Sequence, residues 1–231
     1  MARYGACSRS AYYGVIAALP LLVAYEALLF WTGIPAVFQV RNAADVWLRT
    51  LLESLGAGPA QATAVTLLLL LLAIPLTRPA DMPLVPRYFA WVTLEAGGYS
   101  AALFAASLLL PLAGLTPAAL PPGTGTGERI ALALGAGLFE ELAFRVILVT
   151  VLLWLARLVF RPRWAAALAV LGAALLFSLA HYVGSYGEPF LLYSFAFRWA
   201  AGLVFTLLYA ARGFAVTAYT HALYDLWTLL V

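Results

Sequence analysis

Three short constellations in the second half of the chain have the residue types and spacing for acid–base chemistry. Glu140-Glu141-Leu142-Ala143-Phe144-Arg145 sets two adjacent carboxylates ahead of an arginine. Glu141 and Arg145 are i,i+4 with the acid first, the order that pairs on one helix face. Glu140 lies about 100° around a helix from Glu141 and is left for another role. Phe177-Ser178-Leu179-Ala180-His181 puts a ring and an imidazole on one face, and His221-Ala222-Leu223-Tyr224-Asp225 puts an imidazole and a carboxylate on one stripe. A carboxylate shielded from bulk water, with an imidazole beside it, can take a proton from a water and turn it into a nucleophile. Donors aimed into a dry cavity stabilise the charge of a tetrahedral intermediate. The same residues allow other uses. Glu140, His181, His221 and Asp225 would make a zinc shell, the alternative to a metal-free site, although the HExxH spacing is absent. The Glu-Glu pair with Arg145 also suits an internal ion-pair lock, a lone membrane histidine suits hydrogen-bonded packing, and Phe177 suits packing that shapes the pocket.

The elements that must position these groups are membrane helices. The chain has 231 residues, 65% of them hydrophobic and 10% charged, with a mean hydropathy of +0.97. Soluble domains are about half apolar and about a quarter charged, so a soluble globular enzyme, a disordered chain and a nucleic-acid binder are all excluded. The net charge is +3, and all 13 basic residues are arginine. Cys7, the one cysteine, permits neither an internal disulfide nor a cysteine metal cluster. The fold class is all-α: a single integral membrane domain over residues 1–231, a polytopic helix bundle of about seven spans. The spans are predicted at 11–31, 60–76, 88–112, 129–160, 164–182, 190–211 and 214–231. Pro, Gly and Arg punctuate the breaks. Residues 42–55 carry Asp45, Arg49 and Glu53 four apart among Val46, Trp47, Leu51 and Leu52, which predicts an amphipathic helix at the interface. The first apolar stretch contains Glu26 and lacks a small-x-small cleavage site, so it reads as a span rather than a signal peptide.

With the N-terminus in the cytoplasm, Arg3, Arg9, Arg78, Arg87, Arg157, Arg161, Arg163 and Arg212 fall inside, and Arg41, Arg49 and Arg129 fall outside. Glu26, Glu95, Glu140, Glu141, Asp225, Arg145, Arg198, His181 and His221 lie within apolar spans. Each costs about 2.5 kcal/mol or more at membrane depth and needs a cavity or a partner. Glu26 and Glu95 match no motif and are expected to line the cavity or to pair with Arg198. Two hairpins would gather the rest. Glu140 is 22 residues before Pro162 and His181 is 19 after it, a height difference of about 5 Å. Arg198 and Asp225 are nearly level across a second turn near Arg212. The first hairpin places its groups in the outer half of the membrane, and the second places His221 near the middle.

Taken together, EExxxR, FxxxH and Hxxx(N/D) on successive late helices, over about residues 138–227, resemble the CPBP (CAAX protease and bacteriocin-processing, or Abi) family of glutamic-type intramembrane proteases, with its Rce1-like members. The resemblance implies an intramembrane endopeptidase that cuts a membrane-anchored protein or peptide near its anchor or C-terminal tail. Glu140 and His181 would activate the water, and His221 and Asp225 would face the oxyanion. Glu141, held by Arg145, would support them, as would Phe177 and Arg198. Rce1-type members more often have Asn where this chain has Asp225. An ionised carboxylate repels an oxyanion, so Asp225 is expected to orient the His221 tautomer. A site in the outer half favours a myxosortase or exosortase-associated member over CAAX processing, in a bacterial inner (cytoplasmic) membrane. The expected partners are that substrate and the lipid bilayer, with no nucleic acid and no cofactor, zinc being the alternative. A non-catalytic membrane scaffold or immunity protein and a proton-coupled carrier are the other classes. The carrier lacks a visible inverted repeat.

Overall fold

The computed structural model describes residues 2–32, 41–109, 124–184 and 187–230, and among them there are helices and no strands. In chain order they are α1 (Ala2–Ser8), α2 (Ala11–Thr32), α3 (Ala43–Ser54), α4 (Pro59–Thr77), α5 (Arg87–Ser107), α6 (Thr126–Gly135), a π-helical segment (Ala136–Leu148), α7 (Val149–Arg157), α8 (Pro162–Ala180) and α9 (Leu192–Leu230). Among the described residues, four helices are long and apolar enough to cross a membrane: Ala11–Thr32, Ala60–Thr77, Pro162–Ala180 and Leu192–Leu229. They cover five of the expected spans. α5, interrupted by Glu95, and the stretch 126–157, divided into three elements, do not meet that measure. The end of the expected span 88–112 falls at residues 110–112, outside the described residues. α4 exposes Leu68, Leu69, Leu71 and Leu72. Such a band is a lipid-facing surface on an integral membrane protein.

Both expected hairpins form, and ring contacts show it. Phe144 and Phe177, on either side of the turn at Pro162, meet edge to face with centroids 5.2 Å apart. Phe205 and His221, eight residues to either side of Gly213, stack at 4.5 Å. In one straight helix they would stand about 24 Å apart, so α9 doubles back. The reversal occurs at Gly213, whose φ of 79° and ψ of 179° lie outside the range of a side-chain-bearing residue. A Cβ there would also come within 2.7 Å of the Arg9 backbone.

Two local expectations need correction. The segment bearing Glu140, Glu141 and Arg145 winds as a π-helix, with i→i+5 bonding rather than i→i+4. The wider winding sets Glu140 and Glu141 closer in azimuth than the 100° of an α-helix. α3 exists and begins at the Asn42 cap, but of its three charges only Glu53 is exposed. Asp45 and Arg49 are buried, while Trp47, Leu51 and Leu55 are exposed. Ion pairing across the bundle turns Asp45 and Arg49 inward, and the outward side of α3 mixes Trp47 and Leu51 with Thr50, Glu53 and Ser54.

Candidate active site

The π-helical segment packs against the second limb of α9 at backbone distance. A Cβ on Gly137 would meet Ala218 O at 2.4 Å and the Ala222 Cβ at 2.7 Å. With glycine there, Glu141 comes level with His221. The Glu141 carboxylate, buried with Arg145, accepts from His221 Nδ1 at 2.6 Å and pairs with Arg145 Nη1 at 3.0 Å. It is therefore Glu141, and not Asp225 as expected, that binds His221 Nδ1 and fixes the ring. With Nδ1 occupied, His221 Nε2 faces Asp225 Oδ2 at 3.6 Å and Glu140 Oε2 at 4.0 Å.

The rings complete the enclosure. Phe205 stacks on His221, and Phe177 lies edge-on to His221 at 6.4 Å and to His181 at 5.1 Å. The Arg145 guanidinium sits 4.3 Å from the Phe177 centroid and 5.4 Å from that of Phe205. It is sandwiched between two faces that attract cations. Phe177 thus belongs to the seat of Arg145 and also contacts both histidine rings. His181 ends α8, and its Nδ1 lies 2.9 Å from the Phe177 carbonyl. A carbonyl only accepts, so Nδ1 is the donor and Nε2 of the neutral ring keeps its lone pair. Among the described residues, no three His, Cys, Asp or Glu side chains are grouped as a metal shell would require.

The remaining membrane charges have partners other than those expected. Arg198 donates to Glu188 at 2.6 Å, Ser194 at 2.9 Å and Tyr182 at 3.1 Å, so it braces the segment that follows His181. Glu95 accepts from Arg212 at 2.5 and 2.8 Å and from Tyr4 at 2.6 Å. Glu26 accepts from Arg41 through both its oxygens and from Arg49 at 2.6 Å. Burial works against the Arg41 charge, but the carboxylates of Glu26 and Asp45 outweigh it and hold the guanidinium above its ordinary range.

One site residue escapes a reading by motif. Asn42 Nδ2 donates to Glu140 Oε1 at 2.7 Å. It lies 98 positions away in sequence, at the start of a helix read as interfacial. The only local signal is its type, a cap residue ahead of an apolar-periodic run.

Residues 123–227 match the family model described as Type II CAAX prenyl endopeptidase Rce1-like. Neither the search of curated proteins nor that of solved structures gave a match.

Proposed function

From the match of residues 123–227 to the Rce1-like endopeptidase family, we propose that the chain hydrolyses a peptide bond near the membrane anchor or C-terminal tail of a protein substrate, with Glu140 and His181 activating the water. The observation that carries this reading is the convergence of Glu140 and Asp225 on His221 Nε2 while Glu141 holds Nδ1. Glu140 accepts a proton from water held with the help of His181 Nε2. The hydroxide adds to the scissile carbonyl, and Glu140 returns the proton to the leaving amine. With Nδ1 bound to Glu141, His221 donates from Nε2 as the imidazolium, and the surrounding carboxylates supply its countercharge. That donor faces the oxyanion, while Asp225 keeps the ring from turning.

The arrangement needs no metal, and zinc held by Glu140, His181, His221 and Asp225 is the competing form of the site. The membrane is a bacterial cytoplasmic membrane with the N-terminus inside. On that orientation the substrate is a C-terminal sorting tail reached from the outer half.

Deleting the chain and surveying which membrane-anchored proteins change size identifies the substrate. Glu140→Ala and His181→Ala should abolish that processing at normal expression. Retained processing would mean a non-catalytic scaffold, and loss of a transport flux without a cleavage product would mean a carrier. Purified enzyme should keep its rate in a chelator, and loss restored by zinc would favour the metal form. A cysteine at Gly125 should react with an impermeant reagent on intact cells, and labelling only after lysis would reverse the orientation.

A further inference from the structure

Asn42 lies outside the segment that carries the three motifs, yet its side chain is fixed at both ends. Oδ1 accepts from Ala44 N at 2.9 Å and caps α3, while Nδ2 donates to Glu140 Oε1 at 2.7 Å. An amide meets both demands because one end accepts and the other donates. An aspartate would cap the helix and repel Glu140; a serine would cap it and leave Glu140 Oε1 without its donor. The residue is buried, and its backbone N–H donates to the Tyr25 hydroxyl at 3.3 Å. Tyr25 donates to Asp45 at 2.8 Å, and Asp45 accepts from Arg41 at 2.7 Å and Arg49 at 2.8 Å. Both arginines also reach Glu26. The Tyr25 ring packs on Phe139, the neighbour of Glu140, at 5.4 Å.

We propose that Asn42 is a positioning residue for Glu140: its amide binds Oε1, leaving Oε2 turned toward His221, and the Glu26–Arg41–Asp45–Arg49 cluster anchors it. The proposal rests on the reading of Glu140 as the base. It assigns a role in the chemistry to α3 and α2, which lie outside the residues that match the family.

The test uses the purified full-length chain and two substitutions that keep the helix cap. Asn42→Ser should lower kcat about tenfold and Asn42→Asp at least a hundredfold, with KM within about twofold for both, because a misplaced base slows the chemical step more than binding. Wild-type kcat in both variants would leave Asn42 a helix cap and overturn the proposal. A second readout needs no cleavage. Asn42→Asp should lower the thermal midpoint in the native background and cost less in a Glu140→Gln background, where the glutamine amide can donate to the new carboxylate. An equal cost in both backgrounds would also overturn it. Absence of cleavage by every form of the chain, with the melting coupling intact, would instead strike the proteolytic reading of Glu140 and leave the contact standing.

Discussion

Two buried charge clusters in this protein are built on opposite principles. Around Glu26, two acids face two arginines. Glu26 takes both arms of Arg41 and one of Arg49, and Asp45 takes Arg41, Arg49 and the Tyr25 hydroxyl. Around His221, three acids (Glu140, Glu141 and Asp225) share the ring. There Glu141 Oε2 and all three Arg145 nitrogens are buried without a hydrogen-bond partner among the described residues. Arg145 relies on one close carboxylate and two aromatic faces. Buried polar groups are normally satisfied, and exceptions mark places where structure is held for another purpose. The first cluster is balanced and serves as a frame. The second keeps an excess of acceptors, which is the composition a site needs if it is to take protons from a substrate water.

Substitutions can break or sharpen that contrast. The largest effect should come from Glu140→Gln, which keeps shape and removes the proposed base. The cleavage rate should drop about a thousandfold with little change in the melting temperature, and a drop under tenfold would remove Glu140 from the chemistry. Next is Arg145→Met. It leaves Glu141 with His221 alone and should cost about 4 kcal/mol of stability, as breaking a buried pair does. Adding Glu141→Gln should recover part of that loss. If the double substitution is simply additive, the two residues do not act as a pair. The smallest effect is expected of Glu26→Gln, at about 2 kcal/mol for hydrogen bonds between charged groups. It should be read as a lower thermal midpoint with kcat changed by less than about threefold. A kcat loss as large as that of Glu140→Gln would erase the distinction between frame and site.

The three motifs and both hairpins were legible because their spacing is local: Pro162 and Gly213 each mark a turn, and i,i+4 pairs survive any tertiary detail. Other features needed the fold. Glu95 meets Arg212 across 117 positions and Asn42 meets Glu140 across 98, and no periodicity encodes such partners. Hydropathy also misjudged α3. Its pattern gave the correct helix and the wrong exposure for Asp45 and Arg49, because Glu26 and Arg41 draw them inward. The role of Glu141 was hidden for a related reason. Its pairing with Arg145 is visible in sequence, but its grip on His221 depends on the close approach at Gly137.

The pairing of Arg145 with Glu141 bears on how the chain enters the membrane. A helix is inserted before its neighbours have docked, and each uncompensated charge near its centre adds about 2.5–3.5 kcal/mol to that step. Glu141 and Arg145 lie one turn apart on the same element, so they can neutralise each other inside a lone helix. Glu140, the other carboxylate of the motif, makes its hydrogen bond to a different element, at Asn42. That contact exists only once the segment bearing Glu140 has settled against α3, so the Glu141–Arg145 pair can form within one element whereas the Asn42–Glu140 contact depends on docking.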